Sequence, residues 1–211
     1  VEIGKINTLD VNRETDNGVY LDGGEHGEIL MPKKFVTPEV KEAGNATVLV
    51  YTDSEDRLVA TTETPLAMVG EFAIMKVISN SRFGSFLDWG LPKDLLVPFR
   101  EQKADMIEGK SYLVYVFLDL QTNRIAGSAK IDKFLDNTPP EYEVGQEVDL
   151  IIADETDLGF KAIINSEHWG MLYKDQTYSS LSFGQKIKGY INKVRVDEKI
   201  DLLLERPGYE K

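Results

Sequence analysis

Three glycines, each set just behind a polar turn, head three stretches of chain whose later landmarks keep step. They are Gly18 after Asp16-Asn17, Gly84 after Arg82-Phe83, and Gly159 after Asp157-Leu158. An apolar pair lies 12 and 13 residues beyond each: Leu30-Met31, Leu96-Val97 and Met171-Leu172. A second glycine follows at Gly44, Gly109 and Gly184, which is 26, 25 and 25 residues after the first. Each stretch then closes with a hairpin, Val48–Ala60 turning at Asp53–Asp56, Leu113–Ala126 turning at Gln121–Asn123, and Ile187–Leu203 turning at Val196–Lys199. Matching offsets with little residue identity imply one supersecondary unit of roughly 65–75 residues used three times.

The unit reads as five short strands. Runs such as Ala46–Tyr51, Leu58–Thr62, Phe72–Ile78, Tyr112–Leu118, Val148–Ala153 and Ile200–Leu204 are rich in Val, Ile, Leu and aromatics and are bounded by turn clusters. Only Gln102–Ile107 and Lys130–Leu135 look locally helical. A domain this small lacks a thick core and must hide its strand edges, and a closed barrel does both. The first glycine of each unit suits the bulge or close backbone approach that a tightly coiled strand requires, and the second suits a turn with positive φ. The expected boundaries are 1–65, 66–138 and 139–211. Linkers are expected near Thr61–Met68 and Asp136–Tyr142, the latter stiffened by Pro139-Pro140.

Composition narrows the function classes. With no cysteine, disulfides, thiol catalysis and Cys-based zinc sites are excluded. No run approaches about 20 apolar residues, so no membrane helix is expected. The segment Val1-Glu2-Ile3-Gly4-Lys5 has neither a basic nor an apolar leader region, so a cytoplasmic protein is expected, trimmed ahead of Val1. The net charge of −12 and the pI near 4.7 weigh against nucleic-acid binding, because phosphate affinity comes mostly from Lys and Arg. That charge is uneven. Residues 1–65 hold 6 basic and 13 acidic groups, residues 139–211 hold 9 and 14, and residues 66–138 hold 9 of each.

The middle unit, with Gly70-Glu71-Phe72, Val77-Ile78-Ser79-Asn80-Ser81-Arg82-Phe83-Gly84-Ser85-Phe86-Leu87 and Asp94-Leu95-Leu96-Val97-Pro98, resembles an S1 RNA-binding domain of the OB-fold group. Lys93–Gln102 is the most specific segment, and Arg206-Pro207-Gly208-Tyr209 also fits. The whole chain resembles the CvfB/YitL-type bacterial proteins (conserved virulence factor B), strongly in the middle unit, moderately in the first and more weakly in the third. The resemblance implies an all-β chain of three tandem five-stranded OB-fold (S1-like) barrels. It also implies a C-terminal winged-helix domain, which is not expected within these 211 residues.

In such domains bases stack on aromatics flanking the anchor glycine. Carried over, these positions are Phe83 and Phe86 in the middle unit, Asn17 and Tyr20 in the first, and Leu158 and Lys161 in the third. A position often occupied by His falls at Pro32, Pro98 and Tyr173. An acidic-then-basic pair maps to Asp53 with Arg57 and to Asp119 with Arg124, with only Lys199 in the third unit. The third unit thus keeps little of the stacking platform and the first keeps half.

Each candidate has a plainer alternative. Phe83 and Phe86 are core residues if strict alternation holds, since positions three apart then face opposite ways; a bulge at Gly84 turns both outward. Arg82, Lys93, Lys110 and Arg124 are either phosphate contacts or solvated charges, and Trp89 is either a further stacking ring or loop packing. Asp53, Glu55 and Asp56 read as a hairpin turn rather than a cation site. His26 and His168 have no triad or ligand spacing, and no phosphate-binding or dinucleotide motif is present. The expectation is a non-catalytic protein without cofactor or metal that binds single-stranded RNA, chiefly on the middle barrel, and regulates gene expression. The alternatives are a scaffold docking protein partners through its acidic outer barrels, and an oligosaccharide or small-ligand binder on the barrel face.

Overall fold

A computed structural model describes residues 1–176 and 180–208. Tyr209, part of the C-terminal match, lies outside the described residues. The first barrel comprises β1 (Ile6–Thr15), β2 (Gly18–Asp22), β3 (Glu28–Pro32), β4 (Asn45–Thr52) and β5 (Leu58–Thr61). The middle barrel comprises β6 (Phe72–Ser81), β7 (Gly84–Asp88), β8 (Leu95–Pro98), β9 (Ser111–Asp119) and β10 (Arg124–Ser128). The third comprises β11 (Glu147–Thr156), β12 (Gly159–Ile164), β13 (His168–Tyr173), β14 (Lys186–Val194) and β15 (Ile200–Leu203). All three sheets are closed with one strand order, first-second-third-fifth-fourth and back to the first. The third and fifth strands pair in parallel, through Leu30 with Val59, Ala126 with Leu96, and Met171 with Asp201.

Two devices recur and explain the spacing in the sequence. The first strand of each barrel slips register by one residue, at Asn12, Ile78 and Ala153. Such a bulge coils the strand so that it can pair on both sides. The anchor glycine then opens the second strand at φ +141, +147 and +151 for Gly18, Gly84 and Gly159. A Cβ there would lie 2.1 Å from the Met31 carbonyl oxygen, 2.3 Å from that of Val97 and 2.0 Å from that of Leu172. The apolar pair therefore sits 12 and 13 residues downstream because its second member supplies the backbone against which the glycine closes. The bulge expected at Gly84 lies instead on the opposing strand, at Ile78.

Alternation fills the interiors. In β3 and β8, Ile29 with Met31 and Leu95 with Val97 point inward, while Leu30 and Leu96 are half-buried. In β13, His168, Gly170 and Leu172 are buried, whereas Trp169, Met171 and Tyr173 are half-buried on the opposite face.

Helical content is small. The helix expected at Gln102–Ile107 is absent. A 3-10 turn at Phe99–Glu101 precedes it, and the Gln102 amide is spent on the Val97 carbonyl (3.0 Å) and the Ser85 hydroxyl (3.1 Å). Lys130–Leu135 contains a 3-10 turn at Ile131–Phe134. An α-helix not anticipated from the sequence, α1 (Pro38–Ala43), has Pro in its first turn and left-handed Gly44 at its end. No helix among the described residues is long and apolar enough to cross a membrane.

The chain forms two compact units. One contains Val1–Glu71, Met75–Tyr112 and Val116–Ala129; the other contains Phe72–Ile74, Leu113–Tyr115 and Lys130–Lys211. Within the first unit, Leu66 N–H donates to Trp89 O (2.7 Å), Val69 N–H donates to Gly4 O (3.0 Å), and the Tyr51 and Trp89 rings meet edge-on at 6.4 Å.

Candidate nucleic-acid interface

The middle barrel presents the best stacking surface. Arg82 and Phe83 form the turn between β6 and β7, so alternation does not govern Phe83, and its side chain is 59 % exposed. The Arg82 guanidinium lies 4.8 Å from the Phe83 ring centroid. The Ser81 hydroxyl accepts the Phe83 N–H (3.1 Å) and donates to Gly84 O, which fixes the turn. Phe86 is the outward residue of β7, half-buried between inward-facing Ser85 and Leu87, and it pairs with Ser79 on β6 and Leu96 on β8. Lys110 is exposed and has no side-chain partner among the described residues. Its carbonyl accepts the N–H of Val77, one rung from the Ser79–Phe86 pair.

Several expected contacts are occupied elsewhere. Trp89 is 2 % exposed and its Nε1–H donates to Lys93 O (2.5 Å), so it is a packing residue and not a stacking ring. Lys93 is half-buried; its ammonium donates to Asp53 O (2.8 Å) and lies 3.8 Å from the Asp56 carboxylate. Burial holds its pKa below the usual lysine value; Asp56 opposes that shift, neighbouring Arg124 adds to it, and Asp53 opposes it. Arg124 does not pair with Asp119 but reaches Asp56 Oδ2 (2.6 Å). Both cations are therefore matched by the acidic hairpin turn of the first barrel, within the same compact unit.

In that turn Asp53 accepts the N–H groups of Glu55 (2.9 Å) and Arg57 (3.0 Å) and pairs with the Arg57 guanidinium (3.0 Å). Arg57 also meets Glu55 (3.2 Å). Arg57 is exposed but already charge-matched. These carboxylates fold the hairpin and hold cations of their own chain.

The outer barrels differ from the middle one. Tyr20 is half-buried under the Arg13 guanidinium, 4.1 Å from its ring centroid, and Arg13 is tied to Glu28 (3.0 Å). In the third barrel Leu158 is exposed, and the Lys161 ammonium lies 4.2 Å from the centroid of Trp169. Trp169 was missed by reasoning from the anchor-flanking positions. The signal that finds it is the alternation of His168–Tyr173, which puts Trp169 and Tyr173 on one outward face. The positions carried over from the family histidine, Pro32, Pro98 and Tyr173, pair directly across from the three anchor glycines.

His168 is a structural group. Its Nε2–H donates to Thr138 O (2.7 Å), which leaves Nδ1 to accept the Tyr142 hydroxyl (2.7 Å). Burial pushes the Tyr142 hydroxyl up to about 12, helped by the Glu167 and Asp136 carboxylates. The unfolded chain loses that proton near pH 10.0 while the folded one retains it. The associated stability is whole below pH 10 and drains away as pH rises through the folded value. Tyr142→Phe is expected to cost about 1 kcal/mol near neutrality through the lost hydrogen bond. Urea unfolding should show its deficit shrinking toward pH 12, because the variant lacks the titrating group.

Comparison with known proteins agrees with this architecture. An S1-domain family model matches residues 3–63, the first barrel, although the resemblance noted in the sequence is strongest in the middle. The uncharacterized protein YitL of Bacillus subtilis (strain 168) is 33 % identical over 95 residues, 44 % of this chain and 32 % of YitL. The aligned part thus spans about a third of that relative's length. A crystal structure of a multidomain protein with nucleic acid binding domains from Streptococcus pneumoniae TIGR4 superposes with a TM-score of 0.51 at 18 % identity. The superposition covers 99 % of this chain and 76 % of that one, a likeness of fold. An S1 match on the first barrel, the same closed barrel built twice more, and the sequence shared with part of YitL make this chain similar to tandem S1 proteins of the YitL type.

Proposed function

We propose that this is a non-catalytic nucleic-acid-binding protein that takes single-stranded RNA on the outer face of the middle barrel and regulates gene expression after transcription, in the cytoplasm. The observation that carries the reading is the exposed Phe83 ring at the head of β7 with the outward Phe86 ring on the same strand. Unstacked bases lie on such rings whatever their sequence, because every base has a π-face. Arg82 and Lys110 are the cations left for phosphate. The pneumococcal fold relative, described as having nucleic acid binding domains, supports the same class of ligand. The net charge of −12, together with Lys93 and Arg124 matched internally, favours a second reading, a scaffold that docks basic protein partners.

Salt separates the two. With about two phosphates contacted, log K for a labelled single-stranded RNA is expected to fall with a slope near −1.4 against log salt, at roughly −0.7 per phosphate. Fluorescence anisotropy at a series of salt concentrations measures it. No binding even at low salt would discard the RNA reading in favour of the scaffold.

A further inference from the structure

The outward face of the middle barrel carries a cation that its own hairpin does not hold. Phe86 pairs with Leu96 and Leu96 with Ala126, so one rung runs across β7, β8 and β10. A Cβ on Gly127 would meet the Leu95 and Val97 side chains, which turns Gly127 toward the interior. Ala126 and Arg124, in alternate positions on β10, therefore share the face of Phe86. A guanidinium takes a phosphate or a carboxylate with the same fork of donors. In the first barrel Arg57 is held by Asp53 and Glu55 of its own turn. In the middle barrel Asp119 lies 3.9 Å from Arg100 instead. Arg124 reaches Asp56, 68 residues earlier, at 2.6 Å.

That pair is open to water, with the Arg124 side chain 60 % exposed and that of Asp56 47 %. An ion pair so exposed is weak, and a competing anion can displace it. Nor do the two barrels need it to stay together. Leu66 and Val69 donate backbone N–H groups to the Trp89 and Gly4 carbonyls. A Cβ on Gly4 would lie 2.2 Å from Val69 Cγ2, a close packing that no charge maintains. The Asp56 carboxylate is thus dispensable to docking and well placed to compete for the cation. Lys93 is held differently, since its ammonium also donates to the Asp53 carbonyl (2.8 Å) and stays there when Asp56 is neutral.

We propose that the Asp56 carboxylate is an autoinhibitory stand-in for a phosphate. It holds Arg124 away from a bound strand and keeps the affinity of the middle barrel low. The inference rests on the RNA reading and adds a regulation to it, in which the first barrel restrains its neighbour.

Asp56→Asn is the test. Asp56 sits at φ +60, a conformation in which Asn is also at ease, so the turn keeps its shape while the charge is lost. In anisotropy titrations a labelled single-stranded oligouridylate should bind the variant about two- to fivefold more tightly at low salt, the weight of one exposed ion pair no longer broken. The slope of log K against log salt should steepen by about 0.7, for one further phosphate. The two lines then converge as salt rises. Glu42→Gln, on the exposed end of α1, removes the same charge from the same barrel and should leave affinity and slope alone. Adding Arg124→Gln to Asp56→Asn should cancel the gain. An unchanged affinity and slope in Asp56→Asn, a gain matched by Glu42→Gln, or a gain that survives Arg124→Gln would overturn the proposal. If the parent binds and loses RNA with Phe83→Ala while Asp56→Asn is silent, this inference alone falls. If neither the parent nor Asp56→Asn binds at low salt, the RNA reading falls and takes it along.

Discussion

Gly84→Ala should cost about 2–6 kcal/mol and leave the barrel it opens largely unfolded under conditions where the parent is native. Two terms add. At φ +147 an L residue occupies a sparsely populated region worth about 1–3 kcal/mol. The new Cβ also lies 2.3 Å from the Val97 carbonyl oxygen and 2.8 Å from Pro98 Cα, so β7 and β8 must part, and overpacking of this kind costs about 1–3 kcal/mol more. Against a total stability of about 5–15 kcal/mol, that is a large fraction. Gly109→Ala is the control. Its φ is +84 but an added Cβ meets nothing within 4 Å, so only the left-handed backbone penalty of about 1–2 kcal/mol applies. Urea denaturation followed by circular dichroism compares the two, and equal losses would show that the close approach to Val97 is unimportant.

The second large effect concerns binding. Each ring that carries a base is worth about 1–3 kcal/mol, so Phe83→Ala and Phe86→Ala should each weaken single-stranded RNA by about 5- to 150-fold. Phe83 is mostly exposed, so its truncation should leave the unfolding curve almost unmoved, which makes it the cleaner of the two. Phe86 is half-buried on β7 and loses some packing as well. Anisotropy titrations run beside unfolding curves separate these contributions. A folded Phe83→Ala protein that binds within twofold of the parent would place the bases elsewhere.

Much of the architecture was legible because it rests on backbone constraints that the sequence records directly. The anchor glycines, the apolar pairs and the second glycines mark contacts that every copy of the barrel must make, so their spacing survives where side chains have drifted. The candidate site was less legible. Phe83 escaped strand alternation because it belongs to a turn, and the register slip that coils the barrel fell at Ile78, which nothing in its type announces. Lys93 and Arg124 read as free cations because the carboxylate they share, Asp56, lies far from both along the chain, 68 positions before Arg124. The Asp53 carbonyl that also takes Lys93 lies 40 positions before it. Trp89 shows the same limit. Its burial depends on Tyr51 and the Leu66 region folding over it, a pairing no local pattern encodes.

The matching of Lys93 and Arg124 by the first barrel's hairpin also bears on how long a strand stays. On the proposed RNA reading, with those two cations engaged, a strand is held by two rings and the few charges left over. At an ordinary association rate, fewer contacts mean faster release, so on that reading the protein should exchange bound strands quickly rather than sequester them.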